Sequence, residues 1–199
     1  RANSNKIAAR WIYEIQTSME ARLSVMDGGN LRNAIPREAY VVFGLPAEKA
    51  ADMEARFAAF AEEVKAESRI SEPNMSLTLV GVDSPSEVLS LDAQHRLVGA
   101  LIGLPNGVLA MSMAVKGLVE TSTNLASVKF EGDDKIVVTT SQRSSLESAK
   151  LYAKQAVESV FLLAGAEVEH SDGYPGWAPN PHSTLLECTK AAYQRLFGC

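Results

Sequence analysis

The hydrophobic residues recur with helical and then strand-like spacing, and this order constrains the fold more than any other feature. Residues 4–21 predict an amphipathic helix, and residues 22–27 and 39–43 read as strands. A long helix then runs to about residue 68, and residues 76–80 supply a further strand. The apolar stripes of the two helices are Ala8, Trp11, Ile12, Ile15 and Met19, and then Met53, Phe57, Phe60 and Val64.

The second half of the chain repeats this order. A helix is predicted near residues 90–102, and another runs to Ala164 and ends at Gly165. Three strands between these helices are predicted near residues 108–114, 124–130 and 135–140. Residues 166–170 form the last predicted strand of the second half.

The repetition predicts an α+β fold built from duplicated helix-strand-strand-helix-strand units. Each unit would form an antiparallel sheet with helices packed on one face, and two such units favour internal duplication over a solenoid. We expect the related halves to span about residues 1–84 and 85–178. A Pro- and Gly-rich crossing then leads to a helix at 183–197, which has no partner in the repeats and is expected to belong to another domain.

Composition limits the class of partner. With 199 residues and 46% hydrophobic content, the chain can bury a core, and its net charge of -5 disfavours nucleic acid or an anionic membrane as partner. We expect no membrane span and no signal peptide, and the two cysteines, Cys188 and Cys199, favour a cytoplasmic location. Because the sequence lacks an initiator Met and stops abruptly, we expect it to be a piece of a longer protein.

The sequence contains no motif that predicts metal-dependent or nucleophilic catalysis. His95, His170 and His182 lie on different predicted elements, whereas a metal site needs several converging donors. His170 and Asp172 could face the same side of a strand, but without a third donor a polar strand end is favoured. We therefore expect neither a catalytic residue nor a metal ligand in this chain.

Two segments offer groups that could bind a charged ligand. Residues 28–37 combine two glycines, two Asn amides and two Arg side chains, which suit the charged end of a small substrate. A polar hairpin turn is an equally weighted interpretation of this loop. Arg143 follows the strand at 135–140, where a side chain is rigidly presented, but a surface ion pair with Glu147 explains it equally well.

Further polar and aromatic positions accompany Arg143. Ser144 and Glu147 have the spacing of a capping box at the start of a helix. Asn124 and Arg143 occupy places in the second half that correspond to the first loop. Tyr174 and Trp177 form a stiff aromatic corner, for which anchoring the crossing is the favoured interpretation.

Four separated motifs resemble those of the aminoacyl-histidine dipeptidases, also called Xaa-His dipeptidase, peptidase D or bacterial carnosinase. The motifs are residues 28–38, 119–125 (Val-Glu-Thr-Ser-Thr-Asn-Leu), 142–145 (Gln-Arg-Ser-Ser) and 174–177 (Tyr-Pro-Gly-Trp). The resemblance covers essentially all 199 residues in the same order. These enzymes belong to a clan of di-zinc metallopeptidases, in which a lid domain interrupts the catalytic domain.

The resemblance implies that residues 1–178 are the lid and that residues 179–199 are the first helix of the return to the catalytic domain. Asn33 and Arg143 would hold the carboxylate end or the oxyanion of an Xaa-His dipeptide such as carnosine. The two zinc ions, their ligands and the general base would belong to the full-length enzyme. This fragment alone would therefore bind no zinc and hydrolyse nothing.

The resemblance also implies three partners, namely the dipeptide substrate, the protein's own catalytic domain and a second copy in a homodimer. Neither nucleic acid nor a membrane is an implied partner. The competing hypothesis is a non-catalytic dimerisation module or a small-ligand binding module.

Overall fold

The computed structural model describes residues 2–25, 37–132 and 135–198. Within these ranges it contains five α-helices and two antiparallel sheets, which confirms the predicted α+β class. The helices are α1 (Ser4–Ser18), α2 (Ala50–Ser68), α3 (Leu91–Gly103), α4 (Glu147–Leu163) and α5 (Thr184–Phe197). The strands are β1 (Arg22–Leu23), β2 (Phe43–Gly44), β3 (Gly107–Met111), β4 (Val119–Glu131) and β5 (Lys135–Ser144).

The two sheets differ in size although the element order of the halves is similar. β1 pairs with β2, and an isolated bridge joins Ser24 to Val88. The second sheet has the order β3-β4-β5, so β3 and β5 are its edge strands. β4 carries a bulge between Leu125 and Ser127, where its register against β5 shifts.

Two predicted strands are wrong, because residues 76–80 and 166–170 form no strand. Residues 75–80 do alternate between partly buried and exposed, and Leu77 and Leu79 pack against the first core. Alternation reports which side chains are buried, whereas a strand also needs a partner backbone at the right register. In the last segment, Val168 packs against the second core.

The core consists of two clusters that share helices α1 and α3. The first is built from α1, α2 and the β1 region, and the second from α3, α4 and the larger sheet. α1 contributes Ile12 to the first cluster and Ala9 to the second, and α3 likewise contributes Val98 and Leu101. Helices α1 and α3 therefore form a shared layer, called the seam below, that joins the two sheet-bearing parts of the chain.

A buried amide, Gln94 on α3, fixes this seam to the start of the smaller sheet. Its Oε1 accepts from the Leu23 amide at 2.7 Å, and its Nε2 donates to the Ala21 carbonyl at 2.9 Å. Nε2 also lies 3.5 Å from Gln16 Oε1. Because Gln94 is fully buried, these bonds satisfy groups that water cannot reach.

The last helix, α5, buries none of its residues among those that the structure describes. Ser183 caps its start by accepting from the Leu186 amide at 3.2 Å. Three of its exposed apolar residues, Leu185, Tyr193 and Leu196, are spaced so that they share one face. The helices of the described ranges also lack the length and apolar character required to cross a membrane.

Candidate functional site

Arg143 lies inside β5, one residue before the strand ends at Ser144. The prediction that it follows the strand is wrong, because the β4–β5 ladder continues through the pairs Ser122–Arg143 and Thr121–Ser144. The guanidinium is exposed and makes no hydrogen bond or ion pair with another described residue. A rigid strand therefore presents a charged, five-donor fork to its surroundings.

The alternative partner of Arg143, the Glu147 carboxylate, is engaged elsewhere. Glu147 Oε1 accepts from Lys150 Nζ at 2.9 Å and from the Gly176 amide at 2.5 Å. The Gly176 amide, and then Lys150, lower the pKa of Glu147 from its ordinary value. The surface ion pair between Arg143 and Glu147 is therefore absent.

The predicted capping box at Ser144 and Glu147 is also wrong. The Ser144 hydroxyl shares a hydrogen bond with Thr121 Oγ1 at 2.8 Å and accepts from the Leu146 amide at 3.0 Å. α4 begins after Leu146, which makes no side-chain cap. The box fails because β5 extends through Ser144, so this hydroxyl serves the strand and the turn instead of the helix.

Residues 174–177, called the glycine corner below, pack against the end of β5. Lys150 Nζ donates to the Tyr174 carbonyl at 2.8 Å. A Cβ added to Gly176 would overlap the Ser144 carbonyl oxygen and lie 3.3 Å from Ser145 Cα. The fold thus brings together the Gln-Arg-Ser-Ser and Tyr-Pro-Gly-Trp motifs, which are about 30 residues apart in the sequence.

The aromatic rings of the glycine corner do not carry this contact. Tyr174 is 74% exposed and Trp177 is 79% exposed, whereas the backbone at Tyr174 and Gly176 makes the hydrogen bonds. The anchoring role predicted for the aromatic corner is thus performed by its main chain within the described residues. The Tyr174 and Trp177 side chains are therefore exposed to solvent near the end of β5, the strand that carries Arg143.

Replacing Gly176 by alanine should separate the glycine corner from β5, because the new Cβ collides with a backbone oxygen that cannot rotate away. We expect hydrogen exchange of the amides in residues 174–177 to accelerate roughly tenfold, as expected for a lost hydrogen bond. Gly173→Ala is the matched control, since a Cβ there meets nothing within 4 Å. Equal exchange in the two variants would contradict the packing described.

Asn33, the second predicted binding residue, lies outside the described residues. Asn124, its counterpart in the second half, is described and has a structural role. Its Oδ1 accepts from Asn3 Nδ2 at 3.2 Å, and Asn3 Nδ2 also donates to the Leu125 carbonyl at 2.9 Å. Asn106 completes the group by accepting from the Leu125 amide at 2.8 Å. These amides attach the start of α1 to the bulge of β4.

The described residues do not fit the two zinc ions that the resemblance implies. Among them, no group of three or more His, Cys, Asp or Glu side chains could hold a metal ion. His170 Nε2 lies 3.4 Å from Glu158 Oε2 on α4, and residues 166–170 do not form the strand on which its pairing with Asp172 depended. Cys188 is a free, exposed thiol on α5.

Comparisons with known proteins identify relatives along the whole chain. Residues 1–72 match the family model of the peptidase dimerisation domain of M20 peptidases. The chain is 33% identical over 195 residues to the cytosol non-specific dipeptidase of Escherichia coli (strain K12). The aligned residues make up 98% of this chain and 40% of the relative.

A solved structure gives the same result for the fold. The crystal structure of aminoacylhistidine dipeptidase from Vibrio alginolyticus matches with a TM-score of 0.88 and 34% identity. The match covers 100% of this chain and 40% of that one, so the chain spans about two fifths of the length of these relatives. These findings confirm the resemblance: residues 1–72 match the peptidase dimerisation domain, and nearly the whole chain is similar to part of these dipeptidases.

Proposed function

We propose that the chain is the lid of a zinc-dependent dipeptidase that hydrolyses Xaa-His dipeptides, and that Arg143 and Asn33 hold the carboxylate end of the substrate. The observation that carries this proposal is the free guanidinium of Arg143 on a rigid strand, in a fold shared with an aminoacylhistidine dipeptidase. An unpaired Arg fork suits a carboxylate, because it can donate two parallel hydrogen bonds. An Asn amide adds one further donor.

The lid would contribute binding and enclosure. Closing a lid over a dipeptide excludes water, which strengthens the bond between Arg143 and the carboxylate. The zinc ions and the general base are assigned to the part of the longer protein beyond this chain, since the described residues provide no such ligand group. The exposed glycine corner beside β5 would face the same enclosed space.

The packing of the last helix supports the proposed boundaries. Residues 1–178 would form the lid from two related halves, 1–84 and 85–178, and residues 179–199 would begin the return to the catalytic domain. α5 exposes one apolar face and buries none of its side chains against the described residues. The protein's own catalytic domain is therefore the proposed partner of this helix.

A homodimer in the cytoplasm completes the proposal. The match to a peptidase dimerisation domain supports a second copy as partner, and the name of the Escherichia coli relative places that protein in the cytosol. A non-catalytic dimerisation module remains the second candidate function, because the matched family description is that of a dimerisation domain of peptidases. Light scattering of the full-length protein should give twice the monomer mass, and a monomer would argue against the dimer.

Substrate selectivity tests the Xaa-His assignment, since one relative is called non-specific and the other aminoacylhistidine. The full-length protein should hydrolyse carnosine and Gly-His with kcat/KM at least about tenfold above Gly-Leu or Ala-Ala, a difference of about 1.4 kcal/mol. Comparable rates for all four would contradict His selectivity but retain a dipeptidase. No turnover of any dipeptide would leave the dimerisation module as the function.

A further inference from the structure

The crossing from α4 to α5 is attached to the first turn of α4 at two points. Residues 166–180 form neither helix nor strand, and the side chains around the glycine corner are largely exposed. Even so, Glu147 accepts from the Gly176 amide at 2.5 Å and Lys150 donates to the Tyr174 carbonyl at 2.8 Å. An exposed segment without regular structure is thus fixed through its own backbone.

Glu147 and Lys150 act together in this attachment. They are three residues apart on α4, and Lys150 Nζ lies 2.9 Å from Glu147 Oε1. One carboxylate oxygen therefore accepts from both the Gly176 amide and the Lys150 ammonium group, while the same ammonium group donates to the Tyr174 carbonyl. Charge-assisted bonds of this kind are shorter and stronger than neutral ones.

The attached glycine corner packs against the end of β5, which pairs with another described strand along one edge only. β5 is an edge strand whose only neighbour in the described sheet is β4. Beyond Ser144 the chain keeps one backbone bond to β4, from the Ser145 amide to the Glu120 carbonyl at 3.0 Å. The glycine corner lies against the backbone of Ser144 and Ser145, directly after Arg143.

We propose that Glu147 is a positioning residue: by holding Gly176, it keeps the glycine corner against the end of β5 and so fixes the direction in which Arg143 meets the substrate. The positioning of Arg143 for substrate rests on the proposed function. The attachment of the glycine corner by Glu147 rests only on the contacts described above. The lowered pKa of Glu147 is consistent with a carboxylate that stays ionised in this contact.

The first test measures the attachment in the full-length protein by hydrogen exchange of a peptide spanning residues 173–178. Glu147→Ala should accelerate its exchange roughly tenfold, since the Gly176 amide loses its acceptor. Glu147→Gln retains an acceptor oxygen and should show a smaller increase. The matched control is Glu62→Ala, which removes an i,i+3 pair with Lys65 (3.1 Å) that has no contact to another segment. Unchanged exchange in Glu147→Ala would overturn the proposal.

The second test asks whether the attachment positions Arg143. With carnosine as substrate, Glu147→Ala should raise KM about three- to tenfold with a smaller effect on kcat, because the lost contact weakens binding of the carboxylate in both ground and transition states. Glu147→Gln should lie between this variant and the parent, and Glu62→Ala should match the parent. The melting temperatures are compared to exclude loss of folded enzyme.

The combined outcomes separate this inference from the proposed function. Faster exchange with an unchanged KM would show that Glu147 serves structure alone and would overturn its positioning role. A parent enzyme without activity toward any dipeptide would refute the proposed function and the positioning role together, while the exchange result would still decide the attachment. Faster exchange together with a raised KM supports both.

Discussion

Replacing Arg143 by alanine in the full-length protein should lower kcat/KM for carnosine by about 30- to 900-fold, equivalent to about 2–4 kcal/mol of transition-state binding. The side chain is exposed and unpaired among the described residues, so its loss should remove a ligand contact without disturbing the fold. Steady-state kinetics of the purified variant measure the effect. An unchanged melting temperature would show that the loss arises in binding.

Two further variants sharpen this result. Arg143→Lys keeps the charge but loses the planar fork, so it should recover only part of the activity. Arg69→Ala removes another exposed arginine, located just after α2 and distant in sequence from both motifs, and should match the parent. If Arg143→Ala stays within about twofold of the parent, the carboxylate assignment is wrong.

Asn33 allows the same assignment to be tested from the other predicted residue. If Asn33 and Arg143 bind one carboxylate, the double alanine variant should lose less than the sum of the two single losses expressed as free energies. Additive losses would place the two residues on different parts of the substrate.

The largest expected effect on stability is that of Gln94→Ala, which should lower the free energy of unfolding by about 2–4 kcal/mol. The substitution leaves the Leu23 amide and the Ala21 carbonyl without their buried partner and opens a cavity where α3 meets β1. Urea unfolding of the 199-residue chain, followed by circular dichroism, measures the change.

The control for Gln94 is Gln155→Ala, an exposed position on α4 whose side chain makes no hydrogen bond with another described residue. That substitution should change the free energy of unfolding by less than about 0.5 kcal/mol. Equal effects of the two substitutions would mean that the buried amide network does not hold the seam between the halves.

The helices could be predicted from the sequence because their apolar stripes depend on local spacing. Met53, Phe60 and Val64 are buried as the period of α2 predicts, and α4 ends where Gly165 adopts a positive φ of 75°. The strands follow less directly from the sequence. Leu77 and Leu79 show the expected alternation without forming a strand, because pairing depends on a distant backbone that the local pattern does not describe.

The candidate site shows the same division between local and distant information. Arg143 could be singled out from its place near a strand end, but the attachment of Glu147 to Gly176 joins residues 29 positions apart and has no local signature. Gln94 does have a local signature, since it shares the helical face of Val98 and Leu101. A polar residue on an apolar stripe predicts either a buried network or a site.

The proposed function makes this chain the part of a dipeptidase that binds and encloses the substrate, and it assigns the zinc site to the rest of the longer protein. The most direct test is to measure zinc content and carnosine hydrolysis for the isolated 199-residue chain beside the full-length protein. We predict that the full-length protein binds two zinc ions and turns over carnosine, whereas the isolated chain does neither. Stoichiometric zinc or carnosine turnover by the isolated chain, or the lack of both in the full-length protein, would contradict the account.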